Sequence, residues 1–295
     1  MVTGKKKGKV VAMTFNLTHT RHDPAHCLAP GLFRSLKKGE RKTGKLDVTF
    51  VYGDESIKFW GPEPLGADDL RVLQGLVAMA ATSGENGRGI MLHPEPRTEE
   101  GKQVRTRLDL KWDAIEKDGM VAKGSYRQLA RELGYEDADG GKRFRLIRES
   151  IERLWAVSVI VDKGGKRQGF RILSDYESDA KDGKLFIALN PRLASAIVGD
   201  QRHTRIEMSE VRALNSDPAR LIHQRLCGWI DQCKSGKIKI DNLAAYVWPD
   251  VIEIPAATLR QRRATVKKAL LELVALGWKA QEGAGGVWSI ERPAI

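Results

Sequence analysis

Two stretches of this sequence carry one pattern at a fixed separation. Ile147, Ile151 and Leu154 map onto Val266, Leu270 and Leu273 with a constant offset of 119 residues. At 100° per residue each trio falls on one face of a helix, while Lys and Arg crowd the remaining surface. Each stretch follows a shorter helical pattern, "SYRQLARELG" (125–134) or "DNLAAYVW" (241–248). Each is followed by two short alternating segments: "VSVIV" and "GFRIL" across "DKGGKRQ", then "WKAQ" and "VWSIE" across "EGAGG". Helix, turn, basic helix and hairpin is the order of a winged helix-turn-helix, and its recurrence constrains the chain to two such units.

The details support that order. Ser125 is placed to cap a helix whose Leu129, Ala130 and Leu133 face inward and which stops at Gly134. The next helix starts near Lys142, with Phe144, Ile147, Ile151 and Leu154 on one face and Lys142, Arg145, Glu149 and Arg153 pointing away. In "TLRQRRATVKKALLELVALGW" (258–278) five cations fall in the first eleven residues. Leu259, Val266, Leu270, Leu273 and Gly277 form its apolar stripe; opposite lie Arg260, Gln261, Ala264, Thr265, Lys267 and Lys268, interrupted by Leu271 and Glu272. Asp241 is the expected cap of the helix before it.

Elsewhere, "LDVTFVY" (46–52) and "SIKFWG" (56–61) read as a hairpin and 67–81 as an amphipathic helix with Asp68 or Asp69 near its start. "RTRLDLKW" (105–112) reads as a strand, and "DPARLIHQRLCGWI" as a helix capped by Asp217, with Pro218 first and Ile222, Leu226 and Trp229 inward. Residues 1–45, lacking sustained periodicity, read as a basic arm with one short helix near Leu32 to Leu36. The expected architecture is α+β: a basic N-terminal arm (1–45) and two tandem winged helix-turn-helix domains, 46–199 and 200–295, divided near Gly199 to His203.

Charge narrows the function. The net charge is +12, yet residues 1–45 hold 11 Lys/Arg against 2 acids, 142–171 hold 9 against 3, and 256–279 hold 6 against 1. Those strips carry a surplus of 20 positive charges, leaving −8 on the rest, a distribution suited to a polyanion. Three cysteines in a chain without an apolar secretory segment point to a reducing cytoplasm, and no apolar run approaches the roughly 20 residues of a membrane span.

Catalytic and ligand motifs are wanting. "GERKTGKL" (39–46) has the spacing of a phosphate-binding loop, but Leu46 replaces the metal-binding hydroxyl and no apolar strand precedes it. His19, His22, His26 and Cys27, and separately His223, Cys227 and Cys233, cluster without zinc-finger spacing and read as packed side chains, so no metal or cofactor is expected. A DNA-nicking or recombining enzyme would need Tyr126, Tyr135 or Tyr246 as nucleophile, but each lies in or beside a helix where packing explains it. A non-enzymatic binder of double-stranded DNA is expected.

The expected base readers are Arg260, Gln261, Arg262, Arg263, Thr265, Lys267 and Lys268 on one helix and Lys142, Arg143, Arg145 and Arg148 on the other. Lys163, Lys166 and Arg167 would hold the backbone from the first wing. The first unit has a second reading, a homodimer interface with Val157, Val159 and Val161 paired across subunits; the sequence leaves both open. A transcriptional repressor would share the reading surface.

Specific phrases, among them "RHDPAHCLAPGLFRSLKKGERK", "GPEPLGADDLRVLQGLVAMA", "IERLWAVSVIV", "ALNPRLASAIVG" and "RLIHQRLCGWID", resemble the RepC replication initiators of IncQ-type broad-host-range plasmids over residues 21 to about 292. The first dozen residues, with their Lys run, depart from that pattern. The resemblance implies binding to directly repeated origin sequences (iterons), opening of an adjacent A+T-rich stretch, and entry of a plasmid-encoded helicase and primase. It also implies two winged-helix units on one repeat and no strand cleavage.

Overall fold

The computed structural model describes residues 17–82, 89–92, 99, 102–103, 119–135, 140–178, 183–249 and 254–294. The strand expected at 105–112 and the first sixteen residues of the arm lie outside that set. The chain opens with β1 (His19–His22), α1 (Pro24–Leu28) and α2 (Glu40–Thr43), then β2 (Leu46–Tyr52), β3 (Glu55–Gly61) and α3 (Ala67–Thr82). After β4 (Ile90–Leu92) and β5 (Gly119–Ser125) come α4 (Tyr126–Glu132), α5 (Gly140–Ala156), β6 (Ser158–Lys163), β7 (Lys166–Arg171), β8 (Leu173–Ser178) and β9 (Lys184–Leu189). Then follow α6 (Pro191–Val198), β10 (Thr204–Glu207), α7 (Met208–Ala213), α8 (Asp217–Trp229), β11 (Ser235–Lys239), α9 (Ile240–Val247), α10 (Ala256–Val274), β12 (Lys279–Glu282) and β13 (Val287–Glu291).

Both repeated patterns fold as their periodicity requires. Ser125 Oγ accepts from the Gln128 amide at 3.1 Å at the head of α4, and the turn after it closes at Gly134 with φ 75°. Ile147, Ile151 and Leu154 of α5 and Val266, Leu270 and Leu273 of α10 are all buried. The hairpin after α5 pairs β6 with β7, Lys163 opposite Lys166, through Gly164 and Gly165 at φ 54° and 78°. Two successive positive φ values suit a two-residue turn whose twist matches the strands, and glycine enters that region without steric cost. The hairpin joins the β2–β3 hairpin in a four-stranded sheet ordered β2-β3-β6-β7; the later hairpin takes β11 as a third strand in the order β11-β13-β12.

Several local expectations are corrected. Residues 17–45 are packed rather than an arm: β1 pairs antiparallel with β10, α1 packs on α8, and Leu32 and Phe33 are buried, with no helix at 32–36. The cap of α8 is Ser216, whose hydroxyl accepts from Ala219, because the chain is still extended there and turns helical at Asp217. Asp241 lies in the first turn of α9, whose cap position is Lys239 without a side-chain bond. Trp229, expected inward, is 39 % exposed, with its ring against Gly236 of β11 at the edge of the core. Val157, Val159 and Val161 point into the core and offer no intersubunit seam. Arg153 turns inward to Asp69 at 2.8 Å, where Arg41 also binds at 2.9 Å. That fully buried carboxylate, which also accepts from the Gly66 amide, draws both guanidinium groups off the surface.

One apolar core runs through both halves of the chain. Helix α3, buried on almost every side, packs against α5, β5, β1 and α8. At the junction Glu132 accepts from the Leu17 amide, and Arg212 donates to the carbonyls of Leu17 and Glu132. The crossing of α1 and α8 is close: a Cβ at Gly228 would stand 2.8 Å from that of Cys27. Asp23 caps α1 and pairs with Arg192, while His22 and His26, both buried, have no hydrogen-bond partner for either ring nitrogen among the described residues. No helix among the described residues is long and apolar enough to cross a membrane.

Candidate nucleic-acid interface

Helix α10 seats Val266, Ala269, Leu270 and Leu273 against α8 and α9. Arg260, Gln261, Ala264, Lys268 and Leu271 are its exposed face. No acid occupies its first turn, and its cap position, Pro255, makes no side-chain hydrogen bond. Cations clustered near the positive end of a helix dipole are unfavourable in isolation, which suits a helix start that meets an anion.

The seven expected readers on α10 do not stand alike. Arg260, Gln261 and Lys268 are exposed, and neither cation is paired among the described residues. Arg263 is clasped by Asp241 at 2.6 and 2.7 Å, a bidentate pair that ties α10 to α9. Their proximity favours the charged form of each, holding the Asp241 carboxyl below its usual range. Lys267 binds Glu282 of β12 at 2.7 Å, and the Thr265 hydroxyl donates to the Gln261 carbonyl at 3.0 Å. Arg262 is buried, its guanidinium 5.3 Å from the centre of the Trp248 ring. Residue 262 is one turn before Val266, so its place on the inner stripe was readable from the spacing; its charge masked it.

On α5 the face opposite Ile147, Ile151 and Leu154 exposes Lys142, Arg145, Leu146 and Arg148. Lys142 is unpaired among the described residues, and Arg145 meets Glu149 loosely at 3.5 Å. Arg143 lies 4.6 Å over the Tyr135 ring and Arg148 5.6 Å over Tyr126, so both guanidiniums are oriented by aromatic faces. At the hairpin tip Lys163 pairs with Asp54 at 3.2 Å and Glu55 at 3.5 Å, and Arg167 with Asp162 at 3.9 Å. Lys166 has no such partner among the described residues.

Two exposed cations escaped the sequence reading, Lys237 and Lys239 of β11. Their signal was the alternation in "SGKIK", where Ile238 is half-buried and the lysines face out. The three tyrosines have structural duties. Tyr246 is buried and its hydroxyl donates to the Cys27 carbonyl at 2.8 Å; burial pushes its pKa up, away from nucleophile activation. Tyr135 lies between Arg71 and Arg143, and Tyr126 is buried beneath Arg148. "GERKTGKL" forms the four-residue helix α2 followed by a strand, not a phosphate cradle.

A family model described as Replication protein C (RepC) matches residues 14–294. No curated protein matches the sequence. Among solved structures, two crystal structures of domains 2 and 3 of RctB share the fold at 12 % identity. Their TM-scores are 0.53 and 0.52; each alignment covers 92 % of this chain and 99 % or 97 % of the other.

Proposed function

The chain belongs to the replication protein C (RepC) family, and from that premise we propose that it initiates plasmid replication by binding directly repeated sequences in duplex DNA. It reads them with two winged helix-turn-helix units, 46–199 and 200–295, joined through the packed residues 17–45. The observation that carries this reading is the doubled display: two helices with sealed inner faces, each presenting unpaired cations among the described residues. Buried stripes fix the helices, and the free side chains face solvent where a groove would meet them.

Arg260 and Gln261 reach base edges from the start of α10, where a guanidinium can bond two acceptors of guanine and a carboxamide suits adenine. Arg145 and Lys142 serve the same role on α5, with Arg143 and Arg148 at its flanks. Lys268, Lys166, Lys237 and Lys239 take phosphates and supply the sequence-blind, salt-sensitive part of the affinity. Arg263 and Lys267 act by holding α10 to α9 and β12 rather than by meeting bases. Origin opening follows when adjacent occupied repeats bend or untwist the duplex, the deformation being offset by the contacts it permits. The helicase and primase then enter the opened strand, and the chain itself cuts no bond.

Footprinting on a candidate origin with permanganate probing of unpaired thymines tests the reading. Protected repeats beside reactive thymines are expected. Arg260→Ala should cost about 1–3 kcal/mol at one base position and relax its specificity, whereas Lys268→Ala should weaken all sequences alike. Protected repeats without any reactive thymine would make the chain a repressor, and a covalently tethered strand would make it an enzyme.

A further inference from the structure

Away from the charged faces, Glu210 of α7 and His223 and Cys227 of α8 meet in the interior, all three buried, with one ligand atom from each within 4.8 Å of the others. We propose that this triad supplies three ligands of a tetrahedral metal site of the zinc class, the fourth position being left to a water molecule. His223 and Cys227 are four residues apart on one face of α8, a spacing that brings two ligands to one point. The third ligand comes from a different helix. His223 Nε2 lies 2.8 Å from Glu210 Oε2 and 3.5 Å from Cys227 Sγ. Zinc bonds of about 2.0–2.3 Å in a tetrahedron set neighbouring ligand atoms about 3.4–3.6 Å apart. The nitrogen-to-sulfur edge already has that length, and the carboxylate needs to withdraw by about half an ångström.

The surroundings orient the set. Trp278 Nε1 donates to Glu210 Oε1 at 2.9 Å, leaving Oε2 to face the imidazole, and the His223 ring meets the Trp278 ring edge-on at 5.9 Å. Fixing a ligating carboxylate by a neighbouring donor is the usual outer-shell device of metal sites. A sulfur, nitrogen and oxygen donor set favours zinc over magnesium or calcium. Charge also balances: one divalent cation replaces the Cys227 thiol proton and the proton His223 shares with Glu210, and two protons leave to solvent. Trp278 directly follows the turn that ends α10, so the metal ties α7 and α8 to the base of that helix.

The test is titration of chelator-treated full-length protein with cobalt(II), whose thiolate complexes absorb by sulfur-to-metal charge transfer. One equivalent should develop that absorption with the visible bands of tetrahedral cobalt, and zinc should abolish both. Cys227→Ser should lose the charge-transfer band, while Cys233→Ser, which alters an exposed thiol, should keep it. A folded wild type that develops no such band overturns the site, whatever the variants do. So does a band that survives Cys227→Ser or disappears with Cys233→Ser, which would place the cobalt elsewhere. Should Cys227→Ser fail to fold by circular dichroism, the wild-type and Cys233→Ser titrations decide.

Discussion

Acidification from pH 6.5 to pH 5 should cost this protein about 3 kcal/mol through two side chains, His22 and His26. Burial in the α1 junction depresses both, His22 to about 3, with the charge of His26 adding to the effect, and His26 to about 4. Neither ring nitrogen of either residue has a hydrogen-bond partner among the described residues, and His26 packs edge-on against Phe59 with centroids 5.4 Å apart. An imidazole in the unfolded chain titrates near 6.5, so on acidification the unfolded state gains protons first. Stability contributed by the neutral histidines is complete above that value and lost as pH falls through it toward the folded values. At about 1.4 kcal/mol per pH unit, and allowing for the half-protonated start, each histidine loses about 1.6 kcal/mol by pH 5. The slope is measured on chelator-treated protein, where His223 adds little. Burial opposes its charge, but Cys227 and Glu210 raise it to about 10. Its contribution is therefore nearly complete by pH 6.5 and changes by only about 0.4 kcal/mol, in the opposite sense, down to pH 5. Urea unfolding at pH 6.5, 5.75 and 5 measures the loss, about a third of the stability of an ordinary domain. Replacing both residues, His22→Leu with His26→Leu, should shift stability at every pH through packing yet flatten the slope by about 3 kcal/mol across the window. An unchanged slope would show that the two rings take up protons in the folded chain, and the argument from burial would fail.

Other perturbations address other parts of the molecule. Asp69→Asn removes the buried one of the two carboxylates that Arg41 and Arg153 share, leaving them Asp68 alone, and should cost about 3 kcal/mol in chemical unfolding. Gly228→Ala drives a methyl group against Cys27 and Leu28 and should cost about 1–3 kcal/mol by the same measurement; a neutral result would mean that α1 and α8 separate freely. Asp241→Ala releases Arg263, so affinity for random duplex should fall more steeply with salt, the log–log slope growing by about 0.9; an unaltered slope would set Arg263 away from DNA.

Much of the architecture was legible because it rests on period and turn chemistry. A stripe at 3.6 residues buries itself wherever a core exists, and two adjacent glycines turn a hairpin; neither depends on distant residues. Hence α4, α5, α10 and the later hairpin stand where the sequence placed them. The strands of the first hairpin run on through the expected loop to a two-residue turn at Gly164 and Gly165, and Leu173 passes to β8. The exposed basic faces were legible in part, since exposure follows from the same geometry, and Arg260, Gln261, Lys268 and Lys142 are exposed there.

What sequence alone determined was therefore which residues can share a face, the outcome of backbone geometry. Which charges remain free on those faces was decided only by the tertiary structure. Asp241 takes Arg263, Glu282 takes Lys267, Asp69 draws in Arg153, and Trp248 covers Arg262. These pairings join separate elements, and no local pattern announces them. The same holds for residues 17–45, whose basic composition resembled an arm but whose Leu17, Cys27, Leu32 and Phe33 found a core built by residues far along the chain. Burial depends on what the rest of the fold offers, and composition within one segment cannot report that.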